Sequence, residues 1–84
     1  MKRIEYWCDF VNERKIRSMA EIGVWKGEFA EGILENCPTI EKYYLIDPWA
    51  MLDDWNKPLN TQDLEAAYEH TLRRIERFGT KCKV

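Results

Sequence analysis

One stretch constrains this chain more than any other. Residues 18–24, small and apolar apart from Glu21, run into a turn that carries Gly23 and Gly27 and leave as a helix beginning near Glu28. Glycines at that spacing let the backbone turn sharply and approach another group without a Cβ in the way. A second apolar run, Ile40 to Ile46, closes on Asp47-Pro48. Its dense β-branched and aromatic content suits an interior parallel strand. Strand, glycine turn, helix and strand form the opening of a parallel α/β layer, because parallel strands must be joined by a crossover.

The rest of the chain fits around that core. Ile4, Trp7, Cys8 and Val11 recur at helical spacing and predict a short amphipathic helix ending near Arg14-Lys15, where cations suit the negative end of the dipole. In the first crossover helix, Phe29, Ile33, Leu34 and Cys37 form the expected core face and Pro38 stops it. Trp49 to Leu59, with Asp53, Asp54, Trp55 and Pro58, reads as an irregular loop. Asn60-Thr61 then cap a long helix with a stripe of Leu64, Tyr68, Leu72, Ile75 and Phe78, a possible Glu69–Arg73 pair, and Gly79 at its end. Lys81 to Val84 begins a third strand, shorter than the typical strand of roughly five or six residues. The 84 residues allow one domain, 1–84, with the order helix then β-α-β-α-β.

Glu21, Gly23 and Gly27 match the acid-x-Gly-x-x-x-Gly motif, and Asp47 matches the acid that closes the second strand; together they resemble the N-terminal half of a class I S-adenosylmethionine-dependent methyltransferase. The resemblance covers roughly Ser18 to the C-terminus, and the N-terminal helix also fits. It implies a Rossmann-like parallel sheet, one half of a doubly wound fold, in a truncated domain whose fourth strand is missing. It further implies S-adenosylmethionine or S-adenosylhomocysteine as cofactor. Glu21 would help hold the methionyl ammonium, Gly23 and Gly27 would let the loop pass under the cofactor, and Asp47 would hold the ribose. Asp-Pro-Trp at 47–49 resembles the subgroup in which an aromatic lies near the adenine, which makes Trp49 a binding residue or a cover for the core. Trp25 either lines the methionyl side of the pocket or packs on the long helix. The main competitor, an NAD-type dinucleotide site, wants a third glycine where Glu21 stands, and a carboxylate there repels a pyrophosphate but attracts an ammonium. The bland reading of Glu21 is a salt bridge to a cation such as Lys26.

Other classes find less support. A net charge of −2 with interleaved acids and bases gives no electrostatic footprint for nucleic acid. No run approaches the roughly 20 apolar residues that span a bilayer, and the start is too polar for a signal peptide, so a cytoplasmic, non-membrane protein is expected. Cys8, Cys37 and Cys82 lack metal or disulfide spacing and read as buried free thiols. No metal site is expected from Asp53 and Asp54. His70 falls on the exposed side of the long helix, and Arg73, Arg74 and Arg77 alternate with Glu69 and Glu76 as a salt-bridged solvent face. No nucleophile stands with a base, so catalytic residues and methyl acceptor are unassigned. Two hypotheses follow: the cofactor-binding portion of a methyltransferase, or a non-catalytic half-domain acting as an assembly or binding module. In either, an unpaired edge on the first strand predicts a homo-oligomer, through that edge or through apolar faces of the first two helices.

Overall fold

The computed structural model describes residues 2–49 and 61–84. The expected loop from 50 to 59, with Asp53, Asp54 and Trp55, and the Asn60 cap fall outside the described residues. What is described is a compact α/β globule with one three-stranded parallel sheet. Its elements are α1 (Arg3–Arg14), β1 (Ser18–Ile22), α2 (Glu28–Asn36), β2 (Lys42–Ile46), α3 (Thr61–Ile75), a 3₁₀ stretch (Glu76–Lys81) and β3 (Cys82–Lys83). The strand order is β1-β2-β3, with Ala20 opposite Tyr44, Glu21 opposite Leu45, and Tyr43 opposite Cys82. Two crossovers that step the same way across a sheet put both their helices on the same face when each is right-handed.

Helix α1 ends as its sequence suggests, at Arg14, with Lys15 as its cap. Lys15 adopts the left-handed conformation (φ 51°), its N–H donates to the Asn12 carbonyl at 3.3 Å, and the Ile16 N–H donates to the Val11 carbonyl at 3.1 Å. This double bond pattern satisfies two of the helix's orphan carbonyls and turns the chain into β1. Strand β1 stops at Ile22, two residues short of the expected Val24, because Gly23 leaves extended geometry at φ 83°.

The core lies between the helices and one face of the sheet. Val11 from α1, Ala30, Ile33 and Leu34 from α2, Tyr43 and Leu45 from β2, and Ile75 from α3 are buried there, with Val24, Cys37 and Ile40 from the connections. Of the expected face of α2, Ile33, Leu34 and Cys37 are buried and Phe29 is half-buried against the core, with Ala30 buried beside them. No described element covers the opposite face of the sheet: Ile22 is 83% exposed, Ile46 51% and Tyr44 39%. β2 is thus central in hydrogen bonding yet covered on one face only.

The buried stripe of α3 also differs from its expected course. Leu64, Ala67, Thr71 and Ile75 are buried, whereas Tyr68 and Leu72 are exposed. The cause is steric. A Cβ on Gly27 would lie 3.0 Å from the Thr71 Cα and 3.1 Å from its Cγ2, so α3 meets the glycine turn through small side chains and the large ones rotate outward. The α2–α3 seam is closed at its rim by ions: Arg77 Nη1 lies 2.9 Å from Glu31 Oε2 and Arg74 Nη2 lies 3.6 Å from Glu28 Oε1. The expected Glu69–Arg73 pair is present but exposed, at 3.9 Å. Arg74 and Arg77 therefore join two helices instead of forming a purely solvated face.

The two turn glycines should differ on substitution. Gly23 (φ +83°) has nothing within 4 Å of an added Cβ, so Gly23→Ala is expected to cost only the left-handed strain of about 1–2 kcal/mol. Gly27→Ala carries the same strain plus overpacking against Thr71 of roughly 1–3 kcal/mol. Urea unfolding checks this, and equal losses at the two positions would contradict the packing account.

Candidate functional site at the glycine turn

The carboxyl ends of β1 and β2 lie side by side, and the ladder extends one residue beyond them through Gly23 N–H donating to the Ile46 carbonyl at 2.9 Å. The turn that follows β1 is held from three directions through the backbone of Trp25, itself left-handed at φ 61°. Its N–H donates to Asp47 Oδ2 at 3.0 Å. Its carbonyl accepts from the Trp49 indole Nε1 at 2.7 Å and from the Thr71 hydroxyl at 2.9 Å. Asp47 Oδ1 accepts the Trp49 N–H at 2.8 Å, an Asx-type turn that folds the chain back after β2. The Trp49 ring packs on Tyr68, centroids 5.0 Å apart.

Glu21 stands apart from this knot. It is half-buried on the helix side of β1, and its Oε1 accepts the Tyr43 hydroxyl at 2.8 Å. Lys26 is not its partner, since that ammonium lies over the Trp25 ring, 5.6 Å from the centroid. Glu21 opens onto a cavity of about 300 Å³ walled by Arg3 and Trp7 of α1, by Met19, Ile22 and Gly23, and by Phe29. A smaller cavity of about 190 Å³ adjoins it, sharing Arg3, Glu21, Gly23 and Phe29 and reaching Trp25 and Lys26. A larger groove of about 430 Å³ beside Leu72, Ile75 and Gly79 lies at the amino end of β3, away from the turn. The Glu21 cavity is the better candidate because it joins the strand ends, an open glycine and a perturbed carboxylate.

Burial raises the Glu21 carboxyl above the ordinary glutamate range. The Tyr43 hydroxyl and the Arg3 charge offset part of the rise, and the Asp47 charge adds to it. Tyr43 is raised in turn, by burial first and then by the Glu21 charge, so it remains the donor of the pair. Charge on Glu21 is thus held at a net disadvantage in the folded chain, which a bound cation would reverse.

Of the residues the sequence singled out, Glu21, Gly23 and Trp25 line these cavities. Asp47 and Trp49 are tied to them through Trp25, and Gly27 is buried beneath against Thr71. Among the described residues Asp47 accepts these two bonds, and a carboxylate has about four lone-pair sites. Sequence reasoning missed Tyr43, Thr71 and Arg3. Tyr43 was findable, since it lies two residues before Leu45, the register partner of Glu21, and hence on the same face. Among the described residues no group of three His, Cys, Asp or Glu is placed to hold a metal, and His70 is exposed. Burial pushes the Cys37 thiol up to about 12 and raises Cys82, leaving both protonated near neutrality. No helix among the described residues is long and apolar enough to cross a membrane.

A raised folded-state carboxyl gives a stability contribution that is whole below the unfolded pKa and is lost as pH rises through the folded one. Glu21→Gln keeps an acceptor for Tyr43 and removes the charge. Unfolding free energies followed from pH 3.5 to 8 should therefore show wild type losing ground to the variant as pH rises through and above the glutamate range. Parallel curves would contradict the assignment. No known family model, curated protein or solved structure matches the chain.

Proposed function

We propose that this chain is the S-adenosylmethionine-binding portion of a class I methyltransferase, built as a Rossmann-like half of a doubly wound sheet and working in the cytoplasm on an unidentified acceptor. The observation that carries this reading is Glu21: a half-buried carboxylate beside an open glycine, at the carboxyl end of a parallel strand, raised by burial and with no directly paired cation among the described residues. Open α/β sheets bind ligands at the carboxyl ends of their strands. A pyrophosphate would meet repulsion at Glu21, whereas the methionyl ammonium would be attracted and would relieve the buried charge.

The residues present fit such a cofactor. Glu21 would hold the ammonium, the Gly23 backbone has room for close approach, and Asp47 retains lone pairs for the ribose hydroxyls. Trp25 would flank the methionyl side, and Trp49, braced by Tyr68, would stand near the adenine. Gly27 contributes indirectly, by letting α3 seat against the turn. When bound, the cofactor supplies an electrophilic methyl group. The part assigned to these side chains is to bind and orient, because methyl transfer by a sulfonium can proceed by alignment and exclusion of water.

A second reading, a non-catalytic assembly module, is favoured by a different observation. The bare sheet face with Ile22 and Ile46 and the exposed Tyr6 (56%) and Trp7 (37%) of α1 are apolar surfaces suited to self-association, as is the outer edge of β1. The apolar face of α2 is buried and is not available for this. Calorimetry with S-adenosylhomocysteine separates the readings: wild type should bind, and Glu21→Gln should bind roughly tenfold or more weakly, as expected for a lost charge-assisted hydrogen bond. A folded wild-type chain that sediments as a dimer and gives no heat would support the module and contradict our reading.

A further inference from the structure

Arg3 is a charged residue of the cavity wall that the proposed site does not use, and its position is unusual. It is the first residue of α1, where the helix dipole disfavours a cation. It is held there by stacking: the guanidinium carbon lies 4.5 Å from the centroid of Phe29. Arg3 and Glu21 face the same two cavities, and the Arg3 charge is felt at the Glu21 carboxyl, yet no direct ion pair joins them. Two opposite charges on the walls of one cavity, coupled but separated, suit a ligand that carries both signs at adjacent atoms. An α-amino acid head group is such a ligand.

Resting on the cofactor reading above, we propose that Arg3 is the counter-ion for the ligand's α-carboxylate while Glu21 takes its α-ammonium, so that α1 forms the end wall of the site. Several features agree with this. A guanidinium matches the planar, two-oxygen geometry of a carboxylate, and the positive end of α1 adds to the attraction. Another anion in the cavity wall, Glu28, lies 3.6 Å from Arg74. The nearest competing cation, Lys26, lies over the Trp25 ring. Trp7 packs edge-on to Phe29 at 6.5 Å, which completes an aromatic wall behind the guanidinium.

The test compares two thioadenosines by calorimetry: S-adenosylhomocysteine, which has the amino acid head, and 5′-methylthioadenosine, which lacks it. Wild type should prefer the former by roughly tenfold or more. Arg3→Met should lose most of that preference with the affinity for 5′-methylthioadenosine unchanged, Arg3→Lys should restore part of it, and Lys26→Met should leave it intact. The proposal is overturned if Arg3→Met binds S-adenosylhomocysteine as wild type does, if it loses both ligands equally, or if Lys26→Met abolishes the preference instead. Binding of both ligands with no Arg3 effect would leave the cofactor reading standing, whereas binding of neither by wild type would remove both.

Discussion

The site depends on how the backbone of Trp25 is held. One residue in a left-handed conformation receives the end of β2 through Asp47, the loop after it through the Trp49 indole, and α3 through Thr71. Polar backbone groups in a turn must find partners, and here each partner comes from a different element. The turn's position relative to both strand ends is thereby fixed by hydrogen bonds together with the burial of Val24, while the space over Gly23 stays open. Gly27 is the steric condition for this arrangement, because any Cβ there would push α3 and its Thr71 hydroxyl away from the Trp25 carbonyl.

Beside that turn, Glu21 is placed where a stable fold gains little. An apolar side chain at the same position of β1 would extend the surface formed by Met19, Tyr43 and Leu45. The carboxylate instead is held in part-buried surroundings that favour its neutral form, with a single hydroxyl donor. Groups whose ionisation is disfavoured by burial inside a cleft are where folded proteins give up stability for binding. The same logic extends to Arg3, a cation at the wrong end of a helix but at the right edge of a cavity.

Much of this was legible in the sequence, for identifiable reasons. The glycine turn and the acid closing β2 fix element types and order, and the parallel sheet follows from short strands alternating with helical segments. What was misread concerns the tertiary fit of α3. Of the expected stripe Leu64 and Ile75 are buried, but Tyr68 and Leu72 are not, because the close approach to Gly27 puts Thr71 inside, and Ala67 is buried with it. Periodicity cannot register that choice, because it ranks side chains by hydrophobicity and a tight helix–turn contact ranks them by size. Likewise the ion pairs to α2 were invisible: Arg74 and Arg77 have acids nearby in sequence, but their partners Glu28, Glu31 and Glu35 lie on another helix. The bracing role of Asp47, which accepts the backbone N–H groups of both Trp25 and Trp49, needed the geometry of the turn to be seen.

The central claim is that Glu21 is a carboxylate held under strain of burial until a cation arrives. Titrating its side-chain carboxyl carbon by NMR, with the resonance assigned through Glu21→Gln, measures this directly in the free chain and in the presence of saturating S-adenosylhomocysteine. The account predicts a pKa above the ordinary glutamate range in the free chain that falls when the ligand's ammonium is bound. An ordinary or lowered pKa in the free chain, or one that the ligand leaves unmoved, would contradict it.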